Sequence, residues 1–310
     1  MNYFVQVAVS NLWESPDKVR KLDELSLSAP VEIEKWLTAM DKKGTDGRLG
    51  LLGRLESQLL YGEPVQVVEE KEGWMRVCCL EQASPKDSRG YPGWIPTCQL
   101  TTHPEYDKAW SQGPYAYVWV PHTELTKKKT GEKVPLSYMT KLPWIKTEKD
   151  EVHVVTPDGM TGQISVDHVK VAHQLPIATP QERVEKAHKF LGLPYLWGGT
   201  SSHGYDCSGF MYRIFAAGGI RIPRDASVQA QYGENIPLDQ IKPGDLLFFA
   251  YEKGQGRIHH VGMYIGDNSF IHSPRTGQPI KVNRLTDAPY EEELCVARRY
   301  HGDEVFDETK

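Results

Sequence analysis

Between residues 259 and 273 the chain alternates, turns and alternates again, a pattern that only an antiparallel hairpin accommodates well. In His259-His260-Val261-Gly262-Met263-Tyr264-Ile265, residues His260, Gly262 and Tyr264 share one face of a strand. Val261, Met263 and Ile265 share the other, apolar face. Gly266-Asp267-Asn268 supplies the turn and Phe270-Ile271-His272 begins the return strand. A pairing centred on Gly266 sets His260 opposite His272, two imidazoles within hydrogen-bonding reach. One ring can then take a proton while the other fixes its tautomer.

Upstream, Tyr205-Asp206-Cys207-Ser208-Gly209-Phe210 introduces a helical pattern with Phe210, Met211, Ile214 and Phe215 on one face and a stop at Gly218-Gly219. A cysteine at a helix start faces unpaired N–H groups and the positive end of the macrodipole, and both favour the thiolate. Cys207 and a histidine brought beside it would form a nucleophile and its base. Zinc held by Cys207, His260 and His272 is the competing reading of the same three residues. His259, beside a loop, reads as an ordinary polar residue.

Elsewhere the strand signals are short and cut by turns. Phe4–Asn11, Pro64–Val68 and Trp74–Leu80 read as strands, and Tyr91-Pro92-Gly93-Trp94-Ile95-Pro96 as a turn and a short strand. Two helices are expected between the first two strands, over Pro30–Met40 and over Arg48–Leu60 with its recurring leucines. Tyr115–Val120, Leu142–Thr147, Val152–Thr156 and Gly162–Ser165 resume the strands, and the Lys127-Lys128-Lys129 run reads as a solvated turn. Gly90–Pro96 followed by Gln99-Leu100 resembles Gly159–Ser165 followed by Val169, a weak internal repeat that two small barrels of similar plan would produce. His173–Pro180 reads as a linker, followed by a helix to about Leu191. Leu246–Ala250, His259–Ile265 and Ser269–Ser273 then form antiparallel strands, giving an α+β domain.

With 310 residues and a net charge of −5, the chain is large enough for several cores and has no excess of basic charge to hold nucleic acid. Its five cysteines make no disulfide framework and no CxxC site. No stretch approaches a membrane span. The opening Met1-Asn2-Tyr3-Phe4 alternates into Val5, Val7 and Val9, a strand pattern rather than a signal peptide. The expectation is a soluble, cytoplasmic protein, although a form whose leader has been replaced would open in the same way.

Asp206–Phe210, Pro243-Gly244-Asp245-Leu246-Leu247-Phe248-Phe249 and His260–Gly266 together resemble the NlpC/P60 cysteine peptidases, and Gly192–Gly199 resembles the segment before that family's cysteine. The β-rich part resembles bacterial SH3 domains, and the whole chain looks like the YkfC-type γ-D-glutamyl-L-diamino acid endopeptidases. The architecture implied is a papain-like α+β domain, its cysteine helix packed on an antiparallel sheet, over residues 176–310. Before it would lie SH3-like barrels over 1–110, with a helical insertion at about 17–60, and over 111–175. The second barrel holds the SH3-like pattern poorly.

The resemblance implies Cys207 as nucleophile, His260 as base and His272 as the residue that orients it. Tyr195 is implied as support for the oxyanion. The reaction implied is hydrolysis of the amide between the side-chain carboxyl of D-Glu and a diamino acid in murein tri- or tetrapeptides with a free N-terminal L-Ala. A free amine demands a carboxylate pocket, for which Asp206 is the first choice, with Glu81 and Tyr117 added by resemblance and Tyr115 competing with Tyr117. Ser208 and Ser227 are the candidates for binding the D-Glu carboxylate. The mechanism needs no metal or other cofactor. Three other readings share some of these features: a secreted wall hydrolase anchored by its SH3-like domains, a binding module with a dead peptidase domain, and an acyltransferase with the same thioester chemistry.

Overall fold

A computed structural model describes residues 2–302. By its internal contacts the chain divides into two units. Unit 1 holds the described residues up to Glu81, with Arg89–Gln174 and Ser201–His203; unit 2 holds Gln82–Ser88, Leu175–Thr200 and the described residues from Gly204 on. Among the described residues no helix is long and apolar enough to cross a membrane.

Unit 1 carries two sheets. The first comprises β1 (Tyr3–Val5), β2 (Val9–Trp13), β3 (Leu55–Leu60), β4 (Pro64–Lys71), β5 (Trp74–Cys79), β6 (Tyr91–Pro96) and β7 (Leu100–Thr101), in the order β3-β2-β6-β5-β4-β1-β7. Glu72 and Gly73, at φ 49° and 80°, form the two-residue turn from β4 to β5, a geometry whose twist matches that of a hairpin. Val65, Met75, Val77 and Ile95 meet Val5, Leu12 and Leu59 in the core.

Between β2 and β3 runs a helical insertion containing α1 (Ile33–Asp41) and α2 (Thr45–Leu49). Trp36 anchors α1: it is fully buried, and its indole N–H donates to Asp23 at 2.9 Å. The helix expected over Arg48–Leu60 is not formed. Its leucines imitate a helical period, but the chain turns through Gly53 at φ 69° and residues 55–60 become β3, paired with β2 from Val9↔Leu60 to Trp13↔Leu55. That pairing buries Leu55, Leu59 and Leu60 and leaves Leu49 and Leu52 exposed, so tertiary burial overrides local propensity. The strand expected over Phe4–Asn11 is likewise two strands, β1 and β2.

After α3 (Pro104–Gln112) comes the second sheet, made of β8 (Tyr115–Val118), β9 (His122–Lys127), β10 (Lys133–Ser137), β11 (Lys141–Glu148), β12 (Glu151–Val155), β13 (Thr161–Ser165) and β14 (Val169–Ala172). Its order is β10-β9-β13-β12-β11-β8-β14, the order of the first sheet with seven added to each label. The weak sequence repeat falls on β6 and β13, each followed by a 3-10 turn and the last strand of its sheet. The second barrel therefore holds the plan of the first in full. Lys127 also departs from its expected solvated turn: it is 7% exposed, with Nζ 2.8 Å from Asp158 and 3.0 Å from Glu132.

Unit 2 opens with α4 (Pro180–His188). Thr179 accepts from the Glu182 N–H and Glu182 returns to the Thr179 N–H, a capping box that fixes the helix start. The small pair β15 (Thr200–Ser201) and β16 (Gly204–Tyr205) leads into α5 (Cys207–Ala217), and α6 (Ala226–Gln229) follows. The main sheet comprises β17 (Glu234–Ile236), β18 (Leu246–Ala250), β19 (Ile258–Gly266), β20 (Ser269–His272), β21 (Lys281–Arg284) and β22 (Leu294–Arg299), ordered β17-β22-β18-β19-β20-β21 with every pairing antiparallel. Phe210, Met211, Ile214 and Phe215 of α5 are fully buried, and the helix packs on β19. This is the α+β arrangement expected from sequence, a cysteine-bearing helix laid on an antiparallel sheet.

Candidate active site

Asp206 builds the start of α5. Its Oδ1 accepts from the Gly209 N–H at 2.6 Å, satisfying a donor the helix leaves open, and its main-chain carbonyl accepts from Phe210. Arg224 approaches from the segment before α6 and grips the same carboxylate twice, Nη2 to Oδ2 at 2.6 Å and Nη1 to Oδ1 at 3.1 Å. Nη1 also donates to Ser208 Oγ at 3.0 Å. Arg224 is 1% exposed, so this is a buried, forked ion pair. The carboxylate chosen from sequence for a substrate ammonium thus also pairs with a guanidinium and caps the turn that carries Cys207.

The turn can form because Gly209 has no side chain: a Cβ there would lie 2.2 Å from the Gly199 carbonyl oxygen. Cys207 is 9% exposed, and the backbone N–H groups of Ser208 and of Val261, the residue after His260, lie on the side that favours its thiolate. The expectation that the helix start favours the thiolate is outweighed. Burial, with Asp206 beside it, pushes the thiol up to about 12, against the opposing pull of those N–H groups and of Arg224.

His260 and His272 meet with Nε2 of the first 2.6 Å from Nδ1 of the second. Their register differs from the expectation by one step of the same face. Met263 pairs Ile271 and Tyr264 pairs Phe270, which puts Gly262 opposite His272 and His260 on the diagonal. The turn is Asp267-Asn268, both at positive φ (49° and 56°), so it centres beyond Gly266. Gly262 makes the diagonal contact possible, since a Cβ there would lie 2.6 Å from Phe270 Cδ2 and 3.0 Å from His272 Cβ. Two ligands of a tetrahedral zinc stand about 3.3 Å apart, so the 2.6 Å separation is that of a hydrogen bond. Among the described residues no three His, Cys, Asp or Glu side chains are grouped to hold a metal.

Both imidazoles are held neutral by burial. It lowers His260 well below the ordinary histidine range, helped by His272 and His259, and lowers His272 to about 4. The far nitrogen of His272 bonds Asn283 Oδ1 at 3.0 Å, and Asn283 Nδ2 donates to Asp287 at 2.7 Å. Tyr195 is 5% exposed, and burial with Cys207 and Asp206 nearby raises its phenol well above 10, which keeps the hydroxyl a donor. His259 stacks on Tyr251, with ring centroids 4.0 Å apart, and pairs with Glu293.

Unit 2 thus gathers Cys207, His260, His272, Asp206, Ser208 and Tyr195. Ser227 lies exposed on α6, its carbonyl accepting from Gln231. Glu81, Tyr117 and Tyr115 belong to unit 1 and are neighbours there. Glu81 stands 3.6 Å from Lys141 Nζ, which sits 4.1 Å from the centre of the Tyr115 ring. Tyr117 is 7% exposed, its phenol pushed up to about 12 by burial, Tyr115 and Glu81. Sequence reasoning missed Arg224, Asn283 and Asp287. An arginine next to Asp225, one asparagine on an edge strand and an aspartate in the turn after it give no signal until the fold brings them to the site.

Residues 192–299 match the NlpC/P60 family, 118–171 the YKFC SH3b2 domain and 53–100 the bacterial dipeptidyl-peptidase Sh3 domain. The chain is 44% identical to a gamma-D-glutamyl-L-lysine dipeptidyl-peptidase of Bacillus subtilis, over 96% of this chain and 99% of that protein. It is 36% identical to a protein of the same name from Bacillus cereus, over 96% and 90%. A crystal structure of an NlpC/P60 family protein from Bacillus cereus superposes with a TM-score of 0.93 at 34% identity, covering 97% of this chain and 99% of that one.

Proposed function

The chain belongs to the NlpC/P60 family of peptidases, with two SH3b domains ahead of the peptidase domain, and from that premise we propose that it hydrolyses the γ-D-glutamyl–L-diamino acid bond of murein peptides. The observation that carries the proposal is the placement of Cys207 at the start of α5, which packs on β19, the strand whose His260 is hydrogen-bonded to His272 at 2.6 Å.

In the proposed reaction Cys207 attacks the γ-carbonyl while its proton passes to His260. The carbonyl carbon gains an S–C bond and its oxygen becomes an oxyanion. Gly209 and Phe210 already donate to Asp206, which leaves the Cys207 N–H at the open end of α5 for that oxygen, and the neutral Tyr195 hydroxyl is a second donor. His260 then gives its proton to the leaving α-amine as the C–N bond breaks. Water, activated by His260, attacks the thioester and returns the thiol. His272 accepts from His260 throughout and stabilises the imidazolium that forms.

A dipeptidyl-peptidase counts two residues from an amino end, so the proposed product is L-Ala-γ-D-Glu from a tri- or tetrapeptide with a free N-terminus. Glu81 and Tyr117 remain the proposed determinants of that free amine, Ser208 and Ser227 those of the D-Glu carboxylate. Asp206 is the first-choice carboxylate for the same amine, and it also holds Arg224 and the helix start. Recycling of small murein peptides in the cytoplasm is the setting this specificity suits. The test is hydrolysis of L-Ala-γ-D-Glu-L-Lys and its diaminopimelate analogue, each free and N-acetylated, with Cys207→Ala as control. Cleavage of the free peptides alone is expected. Equal cleavage of the acetylated forms would favour a hydrolase of polymeric wall, and no cleavage of either would leave the binding-module reading.

A further inference from the structure

The hydrogen bonds at the histidine pair have a direction, and its origin lies outside Cys207, His260 and His272. Asp287 presents a carboxylate, which only accepts. Its Oδ2 takes the Arg284 backbone N–H at 3.0 Å and the Asn283 side chain at 2.7 Å. The Asn283 atom facing Asp287 must therefore be the NH2 group, and the atom facing His272 Nε2 at 3.0 Å must be the carbonyl oxygen. An oxygen there demands an N–H on His272 Nε2. A neutral His272 protonated at Nε2 has a lone pair at Nδ1, and the atom 2.6 Å away, His260 Nε2, must then be the donor. A neutral His260 protonated at Nε2 keeps its lone pair at Nδ1, ready to take the thiol proton.

We propose that Asn283 and Asp287 are positioning residues, which fix the tautomers of His272 and His260 so that His260 presents a lone pair at Nδ1 to the nucleophile. The inference deepens the proposed peptidase reading and rests on it. Topology supplies the reach: Asn283 on β21 is directly opposite Phe270 on β20, two residues before His272, so Asn283 and His272 are diagonal neighbours on one face. Asp287 is anchored by the Arg284 N–H in the turn after β21, and the hydrogen bonds it accepts hold its carboxyl below the ordinary range, which keeps it an acceptor. Without this anchor the Asn283 amide is free to turn over. A donor facing His272 Nε2 would reverse every bond in the chain and place a proton on His260 Nδ1, where it blocks base catalysis. Freezing a catalytic histidine in the wrong tautomer costs up to about 10⁴ in kcat in a serine-protease triad.

Nuclear magnetic resonance of ¹⁵N-histidine-labelled Cys207→Ala protein reads the tautomers without any turnover. The expected spectrum has protonated Nε2 and unprotonated Nδ1 on both rings at neutral pH. A proton on His272 Nδ1 overturns the inference, while the peptidase reading would still stand or fall on cleavage by the unmodified chain. In the active protein, Asn283→Leu is expected to lower kcat at least tenfold with KM within about twofold, and an unchanged kcat overturns the proposal. Asn283→Asp combined with Asp287→Asn rebuilds the chain with the two roles exchanged, carboxylate to His272 and amide behind it. That double variant is expected to recover most of the rate lost in Asn283→Leu. A double variant as slow as Asn283→Leu shows a structural effect and also overturns the assignment.

Discussion

Asp206→Asn separates two roles for one carboxylate, because a substrate-binding acid and a buried counter-ion fail in different measurements. Asparagine is isosteric and an equally good helix cap, so the 2.6 Å bond from the Gly209 N–H to Oδ1 survives. What changes is the side toward Arg224. The Oδ2 oxygen that receives Nη2 at 2.6 Å becomes an NH2 group facing another donor, and a guanidinium that is 1% exposed loses its charge partner. Removing one member of a buried pair costs about 3–5 kcal/mol, because the remaining charge stays desolvated. Local opening of α5 should become roughly 150- to 5,000-fold more frequent by that figure, at 1.36 kcal/mol per factor of ten.

Hydrogen exchange read by mass spectrometry on peptides from Cys207–Ala217 is the suitable assay, since it reports unit 2 without the signal of unit 1. The companion Arg224→Met with Asp206→Asn removes both partners and should recover much of the loss, with a coupling energy of about 2 kcal/mol or more. Exchange within fivefold of the parent in Asp206→Asn, accompanied by a raised KM for free-amine peptides, would refute the counter-ion reasoning. It would return Asp206 to the substrate.

Four further outcomes follow from the site. Cys207→Ala should abolish hydrolysis, and Cys207→Ser should retain under about 1% of kcat, measured by product release, since a serine there has only a neutral and weakly basic partner. Tyr195→Phe should lower kcat by roughly 10²-fold at nearly unchanged KM if its hydroxyl serves the oxyanion. Gly262→Ala should cost about 1–3 kcal/mol in denaturant unfolding and disturb the His260–His272 contact, because its Cβ would sit 2.6 Å from Phe270. Stability should fall with acid between about pH 6.5 and 4. His272 keeps a folded pKa of about 4 while the unfolded chain titrates near 6.5, so the unfolded state binds the extra proton in that window. The loss from this group alone is roughly 3 kcal/mol, complete below pH 4, and a thermal melting series that is flat across the window would contradict it.

How much of this was legible in the sequence depended on whether the signal was local. The alternation over 259–265 and the helix start at Cys207 are local, and both were readable, as were the two histidines on one face. The register was readable only to one step, because Gly266 looked like the centre of a turn that is in fact Asp267-Asn268. The leucines of 48–60 misled because helical spacing and a buried strand are indistinguishable over so short a span until β2 is in place beside it. β9, β10 and α3 went unread: His122–Lys127 is largely polar, Lys133–Ser137 is a short edge strand, and Pro104–Gln112 buries only Tyr106 and Trp110. Arg224, Asn283 and Asp287 act through partners 18, 11 and 4 residues away respectively, and no periodicity connects them to a catalytic group.

The protonation state of Cys207 shows why a correct local argument reached the wrong balance. The helix start does pull toward the thiolate: the Ser208 and Val261 N–H groups and Arg224 all act in that direction. The same packing that brings them close also removes water, and desolvation with Asp206 nearby wins, leaving a thiol beside a neutral imidazole. Such a pair creates its charges only during attack, as the proton moves from sulfur to His260. In a water-poor site the N–H groups, the guanidinium and the His272–Asn283–Asp287 chain then act on those charges at low dielectric, where each is worth more than in solvent. The burial that makes the resting nucleophile weak is what makes the surrounding dipoles selective for the transition state over the ground state.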